Sequence, residues 1–256
     1  MSEQVANPDA TTETPRQRRV MVAMSHPDDA EFGCAGTVAR WAAEGAHVTF
    51  VLGTSGDKGS ADADMSSGRL SNTREDEQRA ACDVLGVQEV VFLRMPDAEL
   101  VPDLAMRKVL TRVIRQHKPD VVFCQDPTSR WEGNFYLQHP DHVAMGEAVL
   151  AAIYPSARDR LTFPDLLAEG LEPHNVAEVY IGSSLEKCDT FVDISDYLPK
   201  KFDALAAHVS QMGEWDFRPM LSRWAADNAA EARRRGLRAF EDATHAEAFK
   251  RIIIEG

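Results

Sequence analysis

After residue 17, short apolar runs alternate with segments whose apolar residues recur at helical spacing, and this alternation restricts the possible folds strongly. The four strand-like runs are residues 20–24, 47–54, 89–95 and 121–124. Four strand–helix pairs in succession predict a Rossmann-like, doubly wound α/β fold with a mostly parallel sheet and helices on both faces. Two more strands are predicted at 178–184 and 190–195, and the chain from Tyr197 onward is predicted to form a helical C-terminal portion.

Length and the polar start of the chain predict its domain organisation. With 256 residues and 44% apolar content, residues 18–256 are predicted to form a single domain with one large core. Residues 1–17 lack an apolar segment, which predicts a disordered tail and not a signal peptide. No apolar run approaches the roughly 20 residues that span a bilayer, so no membrane partner is expected. The four cysteines form no C-x-x-C pair and are typical of free thiols in a reducing compartment, which predicts a cytoplasmic protein.

The net charge of the chain indicates which classes of partner it can bind. The formal net charge of −13 argues against nucleic acid, because most of the surface would repel phosphates. A local basic pocket is still compatible with this charge. We therefore expect a small-molecule partner.

A cluster of acids directly follows the first predicted strand, in the stretch SHPDDAEFGCAG at residues 25–36. Two interpretations are open. The acids can cap the next helix, which is worth roughly 0.3–1 kcal/mol, or a cation can lie among them. Ligands of parallel α/β sheets bind beyond the carboxyl ends of the strands, where the connecting loops meet. The loops predicted at that edge are residues 25–33, 54–68, 95–100 and 125–142.

A second histidine–aspartate cluster, HPDH, lies on the last of these loops. Two histidines and an aspartate from separate loops form the usual catalytic zinc set, with the fourth position open for water. His139 and His142 are three residues apart, so both face the same side of a helical turn. The adjacent Asp28 and Asp29 point different ways, so that one can bind the ion while the other acts as a general base. Asp141 is placed to orient a histidine as a partner outside the metal ligands.

Together these motifs resemble the PIG-L/LmbE-like family of zinc-dependent N-deacetylases, which act mostly on N-acetylglucosaminyl compounds. The motifs that carry the resemblance are HPDDAE, GTSGDKGS, TRE-x-E, MPDAEL, HPDH and AHVSQ. They occur in order from about residue 20 to about residue 212, and the paired HPDD and HPDH motifs are highly specific. The resemblance implies that residues 18–256 form one deacetylase domain of this type.

The resemblance also implies individual roles. The implied metal ligands are His26, Asp29 and His142. Asp28 would be the base that deprotonates the metal-bound water.

Further implied roles lie around that centre. His139 would stabilise the tetrahedral oxyanion or protonate the leaving amine, and Asp141 would tune a histidine. Arg74 and Asp97 would contact the substrate. Ala30 separates Asp29 from Glu31, unlike the uninterrupted HPDDE of many members, and Glu31 has no assigned role. His208 in AHVSQ is expected to be structural.

The predicted reaction is hydrolysis of an N-acetyl group on an N-acetylglucosamine-containing small molecule, which releases acetate and a free amine. Zn²⁺ is the expected cofactor, although a site of two histidines and one carboxylate also suits Fe²⁺, Co²⁺ or Ni²⁺. One alternative is an amidase that acts on a thiol conjugate with the same metal site. Another is a non-hydrolytic nucleotide-binding α/β protein, but the GCAG stretch lacks the G-x-G-x-x-G spacing. Relatives are often oligomers, so a homo-oligomer is possible.

Overall fold

A computed structural model of the protein describes residues 16–134 and 136–255. Most of the predicted N-terminal tail, residues 1–15, lies outside the described residues. The two described tail residues contact the body of the protein. Arg16 donates a hydrogen bond to the Asp120 carboxylate at 2.9 Å, and Gln17 donates one to the Gly45 carbonyl at 3.0 Å. The single domain over residues 18–256 stays a prediction.

The described chain contains a large sheet, a small hairpin and helices between the strands. The strands are β1 (Arg19–Met24), β2 (His47–Thr54), β3 (Glu89–Met95), β4 (Val121–Gln125), β5 (Trp131–Glu132), β6 (Tyr136–Leu137), β7 (Glu178–Gly182), β8 (Thr190–Asp193) and β9 (Ala246–Ile253). The α-helices are α1 (Asp29–Gly33), α2 (Ala35–Ala43), α3 (Ser67–Leu85), α4 (Leu104–His117), α5 (Pro140–Ala151), α6 (Pro164–Ala168), α7 (Leu198–Ala206), α8 (Val209–Met212) and α9 (Arg218–Arg234). A π-helical segment (Ala152–Ala157) and a 3-10 helix (Arg238–Phe240) complete the helical elements. Across residues 16–134 and 136–255, none of the helices has both the length and the apolar character that a membrane crossing requires.

The large sheet has seven strands in the order β3-β2-β1-β4-β7-β9-β8, and β1, β2, β3, β4 and β7 are parallel. This arrangement confirms the predicted doubly wound α/β fold. Alternate residues of β1 belong to two different apolar clusters, with Val20 and Val22 in one and Met21 and Ala23 in the other. Helices therefore cover both faces of the sheet, as expected for a parallel sheet with apolar runs.

The strand order reverses next to β1, and this reversal positions the functional loops. The chain moves from β1 through β2 to β3 on one side, then crosses back to place β4 on the other side. Ala23 pairs with Val51 of β2 and with Cys124 of β4, so the loops that follow these three strands begin at the same level. A crevice at such a switch point is where ligands of open α/β sheets bind.

The end of the chain differs from the sequence prediction. Residues from Tyr197 to Phe240 are largely helical, but Ala246–Ile253 forms β9, which lies antiparallel between β7 and β8. The helical prediction is wrong for these eight residues. Phe249 packs against Phe123 and Tyr180 of the sheet, with ring centroids 5.2 Å and 5.7 Å away. This packing in the core outweighs local helix propensity.

The helix α3 begins earlier than its sequence suggests. The sequence predicts an N-cap at Ser71 or Thr73 and a helix end at Gly86. The predicted N-cap is wrong, because the N-cap is Ser66, whose hydroxyl accepts a hydrogen bond from the Arg69 N–H. Gly86 ends the helix in the left-handed region, at φ 77°, as predicted. The earlier start shortens the glycine-rich loop after β2.

Candidate metal and catalytic site

A cavity of about 420 Å³ lies at the carboxyl ends of the parallel strands. All four loops that the sequence predicted at this edge contribute to its lining, and so do Arg74 of α3 and Gln211 of α8. A larger cavity of about 920 Å³ is lined by Trp131, Lys187, Arg234 and other residues. Its described lining contains no histidine or aspartate, so chemistry and not size identifies the smaller cavity as the candidate site.

Asp29 connects the two sequence clusters. One carboxylate oxygen, Oδ1, lies 3.0 Å from His142 Nε2, and the other, Oδ2, lies 3.3 Å from His26 Nδ1. The backbone N–H of His26 and the side-chain amide of Gln125 both donate to Oδ2, at 2.8 Å and 3.0 Å. The structure therefore brings together all three residues that the sequence predicts as metal ligands.

His26 is held by carboxylates on its other side. Its Nε2 lies 3.0 Å from Asp97 Oδ1 and 3.3 Å from Asp141 Oδ2. The Asp141 carboxylate also accepts hydrogen bonds from the backbone N–H groups of Ala98 and Leu100, at 2.8 Å and 3.1 Å. Asp141 thus contacts the histidine of the first cluster and not its sequence neighbour His142. Carboxylates in this position commonly orient a metal-binding histidine.

The two histidines of HPDH have different hydrogen-bond partners. His142 Nδ1 lies 3.0 Å from Gln138 Oε1, which only accepts, so Nδ1 carries the proton and Nε2 is left to face Asp29. His139 is the N-cap of α5, and its Nδ1 accepts a hydrogen bond from the Asp141 N–H at 3.2 Å. The Nε2 of His139 therefore carries the ring proton. The rings of His26 and His139 are T-shaped, with centroids 4.7 Å apart.

The Asp28 carboxylate has a partner different from the two histidines that contact Asp29. Its Oδ2 lies 3.1 Å from Arg74 Nη2. Asp28 occupies the N-cap position of α1, at φ 99°, but its side chain makes no capping hydrogen bond. The helix-capping interpretation of the acidic cluster is therefore wrong for Asp28. The Asp29 carboxylate does not act as a cap either, since it contacts the backbone N–H of His26 and the rings of His26 and His142.

The electrostatics of the cluster favour a positive charge at its centre. Burial opposes protonation of His26, but hydrogen bonds to Asp141 and Asp29 and the charge of Asp29, together with Asp97, outweigh it and raise the pKa of His26 to about 12. Burial raises the pKa of Asp28 to about 7, with the charge of Asp29 acting in the same direction. The carboxylates around His26 thus keep a proton on its ring, so this histidine is positively charged at the place where the sequence predicts a bound cation.

The donor set fits a divalent metal ion. Ring nitrogens of His26, His139 and His142 lie within 4.8 Å of one another. Because Nδ1 of His139 accepts from the Asp141 N–H and its Nε2 carries the proton, the nitrogens of His26 and His142 are the ones that suit a metal ion. The Asp29 carboxylate lies against two of these rings, which adds an anionic oxygen donor. Imidazole nitrogens and a carboxylate oxygen are the ligands of catalytic zinc sites.

Arg74 and Asp97, the predicted substrate contacts, line the cavity but also bind neighbouring protein groups. Arg74 is buried and donates to the carbonyl of Pro27 at 2.7 Å and to the carbonyl of Gly56 at 3.3 Å. The Asp97 carboxylate contacts His26 at 3.0 Å. Their contact with substrate stays a prediction.

Gly56 leaves room for Arg74. Its φ of +63° lies in the left-handed region, and a Cβ built at this position would overlap the Arg74 guanidinium. We expect Gly56→Ala to displace Arg74 and to lower kcat/KM by about 10- to 100-fold, because small displacements of positioned groups have effects of this size. Steady-state kinetics with Gly45→Ala as the matched control checks this, since Gly45 has a φ of +96° but no neighbour near its Cβ. Equal kinetics of the two variants would contradict the expected displacement.

Three glutamines that were not predicted from the sequence hold the predicted residues in place. Gln125 binds Asp29, Gln138 binds His142, and the Gln78 side chain accepts from the Asp28 N–H at 3.2 Å. Gln138 directly precedes HPDH, and Gln125 ends β4 at the edge of the sheet where the loops were predicted to meet, so these two positions were the available signal. Gln78 follows Arg74 by four residues on α3, which places both on one helix face.

Glu31 and His208 lie behind the cavity. Both are fully buried, and His208 Nε2 lies 3.5 Å from Glu31 Oε2. Glu31 Oε1 accepts a hydrogen bond from Gln78 Nε2 at 2.8 Å. Glu31, which had no role assigned from the sequence, thus contacts Gln78, and Gln78 in turn contacts Asp28.

A family model, two curated proteins and a solved structure that resemble this chain are all described as deacetylases or de-N-acetylases. The family model described as PIG-L, GlcNAc-PI de-N-acetylase, matches residues 21–153, a range that contains every predicted site residue. Diacetylchitobiose deacetylase of Thermococcus kodakarensis is 32% identical over 197 residues, which cover 77% of this chain and 71% of that protein. The 1D-myo-inositol 2-acetamido-2-deoxy-alpha-D-glucopyranoside deacetylase of Thermobispora bispora is 30% identical over 253 residues, with 76% of this chain and 80% of that protein covered. The structure of N,N′-diacetylchitobiose deacetylase from Pyrococcus horikoshii matches with a TM-score of 0.83 at 27% identity, covering 93% of this chain and 85% of that chain.

Proposed function

The chain belongs to the PIG-L family of de-N-acetylases, and from this premise we propose that it hydrolyses the N-acetyl group of an N-acetylglucosamine-containing small molecule. The products are acetate and a free amine. The observation that carries the proposal is the Asp29 carboxylate, which contacts a histidine of each cluster at the mouth of the switch-point crevice. The relatives described above are deacetylases of diacetylchitobiose and of an acetamido sugar joined to inositol, which supports this substrate class.

The cofactor in this proposal is a divalent metal ion, with Zn²⁺ expected first and Fe²⁺, Co²⁺ or Ni²⁺ as substitutes. His26, Asp29 and His142 would hold it. When bound, such an ion lowers the pKa of a coordinated water from about 15.7 towards roughly 7 and polarises the acetyl carbonyl.

Asp28 is the general base of the proposed reaction. Its pKa, raised by burial to about 7, suits proton transfer near neutral pH. Asp28 takes a proton from the attacking water as the water oxygen bonds to the acetyl carbon. It then gives this proton to the amide nitrogen as the carbon–nitrogen bond breaks, which yields acetic acid and a neutral amine. At neutral pH the acetic acid loses its proton to solvent and becomes acetate.

His139 stabilises the charge that develops on the acetyl oxygen. Its Nδ1 is occupied by the Asp141 N–H, so its Nε2 offers a hydrogen-bond donor to the cavity that it lines. Burial lowers the pKa of His139, which favours a neutral ring that donates a hydrogen bond. A positioned donor of this kind acts most strongly on the transition state.

Gln138 should strengthen metal binding through His142. We expect Gln138→Leu to weaken metal affinity by about 10- to 100-fold, because it removes the acceptor that fixes the His142 ring. Competition with a chromogenic chelator measures this affinity. Gln116→Leu, an exposed change on α4, is the control and should bind metal as the wild type does. Equal affinities of the two variants would contradict the role of Gln138.

A substrate panel tests the proposed function. The metal-loaded protein is incubated with N,N′-diacetylchitobiose, N-acetylglucosaminyl inositol, N-acetylglucosaminyl malate and an N-acyl thiol conjugate. Free amine and acetate are then quantified. We expect equimolar amine and acetate from at least one acetamido sugar. Hydrolysis of the thiol conjugate alone would favour the amidase alternative, and no release from any compound would contradict the proposal. The cytoplasmic location and a homo-oligomer stay predictions from the sequence.

A further inference from the structure

The helix α3 holds one peptide unit of the acidic loop at both ends. Arg74 Nη2 donates to the Pro27 carbonyl at 2.7 Å, and Gln78 Oε1 accepts from the Asp28 N–H at 3.2 Å. Residues 74 and 78 are one helical turn apart, so a single helix face binds both groups of the Pro27–Asp28 peptide. Rotation of this peptide would break both hydrogen bonds.

Asp28 has a backbone conformation that needs such support. Its φ of 99° is positive, and residues with a Cβ rarely adopt this region. A conformation of this kind persists where surrounding contacts impose it. Because the carboxylate direction depends on the backbone at Asp28, the two hydrogen bonds from α3 also determine where the carboxylate points.

The orientation of the Gln78 amide is fixed by the carboxylate of Glu31, which is a much stronger acceptor than the nearby Cys82 sulfur. Gln78 Nε2 donates to Glu31 Oε1 at 2.8 Å, and both side chains are fully buried. A carboxylate oxygen only accepts and a backbone N–H only donates, so the amide group satisfies both partners in one orientation. Glu31 therefore directs Gln78 Oε1 towards Asp28.

We propose that Gln78 is a positioning residue for Asp28 and that Glu31 fixes Gln78 in the orientation this task requires. The inference rests on the proposed function, in which Asp28 moves the proton. Gln78 lies outside the described lining of the cavity, so it acts through Asp28 and not on the substrate. Loss of the Gln78 acceptor should release the Asp28 backbone without disturbing the ligands His26, Asp29 and His142.

The variant Gln78→Met tests the inference, because methionine is similar in length and in helix propensity but does not accept strongly from an N–H. We expect kcat to fall about 10- to 100-fold, while KM and the metal bound per chain stay at wild-type values. A purely structural role would lower the melting temperature without this selective loss of kcat. If Gln78→Met loses metal through unfolding, Gln78→Asn takes its place, since its amide is too short to reach both partners.

A pair of Glu31 variants supplies the rescue. Glu31→Leu removes the acceptor of Gln78 and should lower kcat as Gln78→Met does. Glu31→Gln keeps an acceptor oxygen and should restore kcat to within about threefold of wild type, because the hydrogen bond to Gln78 can still form. Equal kcat values for the two Glu31 variants would overturn the part assigned to Glu31.

Cys82→Ala is the matched control. Cys82 lies one turn beyond Gln78 on α3, with its sulfur 3.8 Å from Gln78 Nε2, and is buried in the same region. The kcat of Cys82→Ala should equal that of the wild type. If the wild type releases acetate and Gln78→Met does so with unchanged kcat, the inference is overturned while the proposed function stands. If the wild type releases no acetate from the panel, the proposed function itself fails.

Discussion

Replacing Asp28 by asparagine is expected to lower kcat by about 10²- to 10⁴-fold while the protein keeps its metal, since this is the usual contribution of a general base. Asparagine has nearly the same shape but does not accept a proton from water. The Asp28 carboxylate contacts Arg74 and not the two histidines, so its loss should leave the ligand cluster intact. Acetate release under saturating substrate, together with metal analysis of the same sample, provides the measurement.

The control for this experiment is a carboxylate of similar type outside the cavity. Asp76→Asn on the exposed side of α3 should retain wild-type kcat, because Asp76 bonds only to Arg79 among its described contacts. Near-normal acetate release by Asp28→Asn would show that another group acts as the base.

Replacing Asp29 by asparagine should have a different and larger effect. The Asp29 carboxylate lies 3.0 Å from His142 and 3.3 Å from His26, and the change removes the anionic donor between these rings. We expect the purified variant to contain little metal and its acetate release to fall to that of the metal-stripped wild type. Metal content measured by plasma mass spectrometry, before and after dialysis against Zn²⁺, checks the prediction.

The comparison of these neighbouring aspartates is informative because both substitutions remove one negative charge from the same loop. A general electrostatic effect would give the two variants the same metal content. The geometry instead predicts loss of the base alone for Asp28 and loss of the ligand for Asp29. Stoichiometric metal in Asp29→Asn would contradict its assignment as a ligand.

Most of the strands, and the meeting of the HPDD and HPDH loops at one edge of the sheet, could be predicted from local sequence patterns. Apolar runs and helical spacing determine the parallel strands, and their order places HPDD and HPDH on one edge of the sheet. β9 escaped prediction because its place between β7 and β8 depends on the core contacts of Phe249 with Phe123 and Tyr180. Such contacts join residues far apart in the chain and leave little pattern in the local sequence.

The supporting side chains were harder to predict for a related reason. Glutamine carries no charge and occurs on many surfaces, so Gln78 and Gln125 give no chemical signal until the fold brings them to an aspartate. Asp141 illustrates the same limit. Sequence placed it beside His142, but the turn into α5 directs its carboxylate to His26 at 3.3 Å.

Acetate release measured against metal occupancy tests the central claim most directly. Metal-stripped protein is titrated with Zn²⁺, and hydrolysis of the best substrate of the panel is followed at each step. We predict that acetate release rises linearly, stops rising at one metal ion per chain, and is accompanied by an equal amount of free amine. Acetate release at the full rate from the metal-stripped protein would contradict the account.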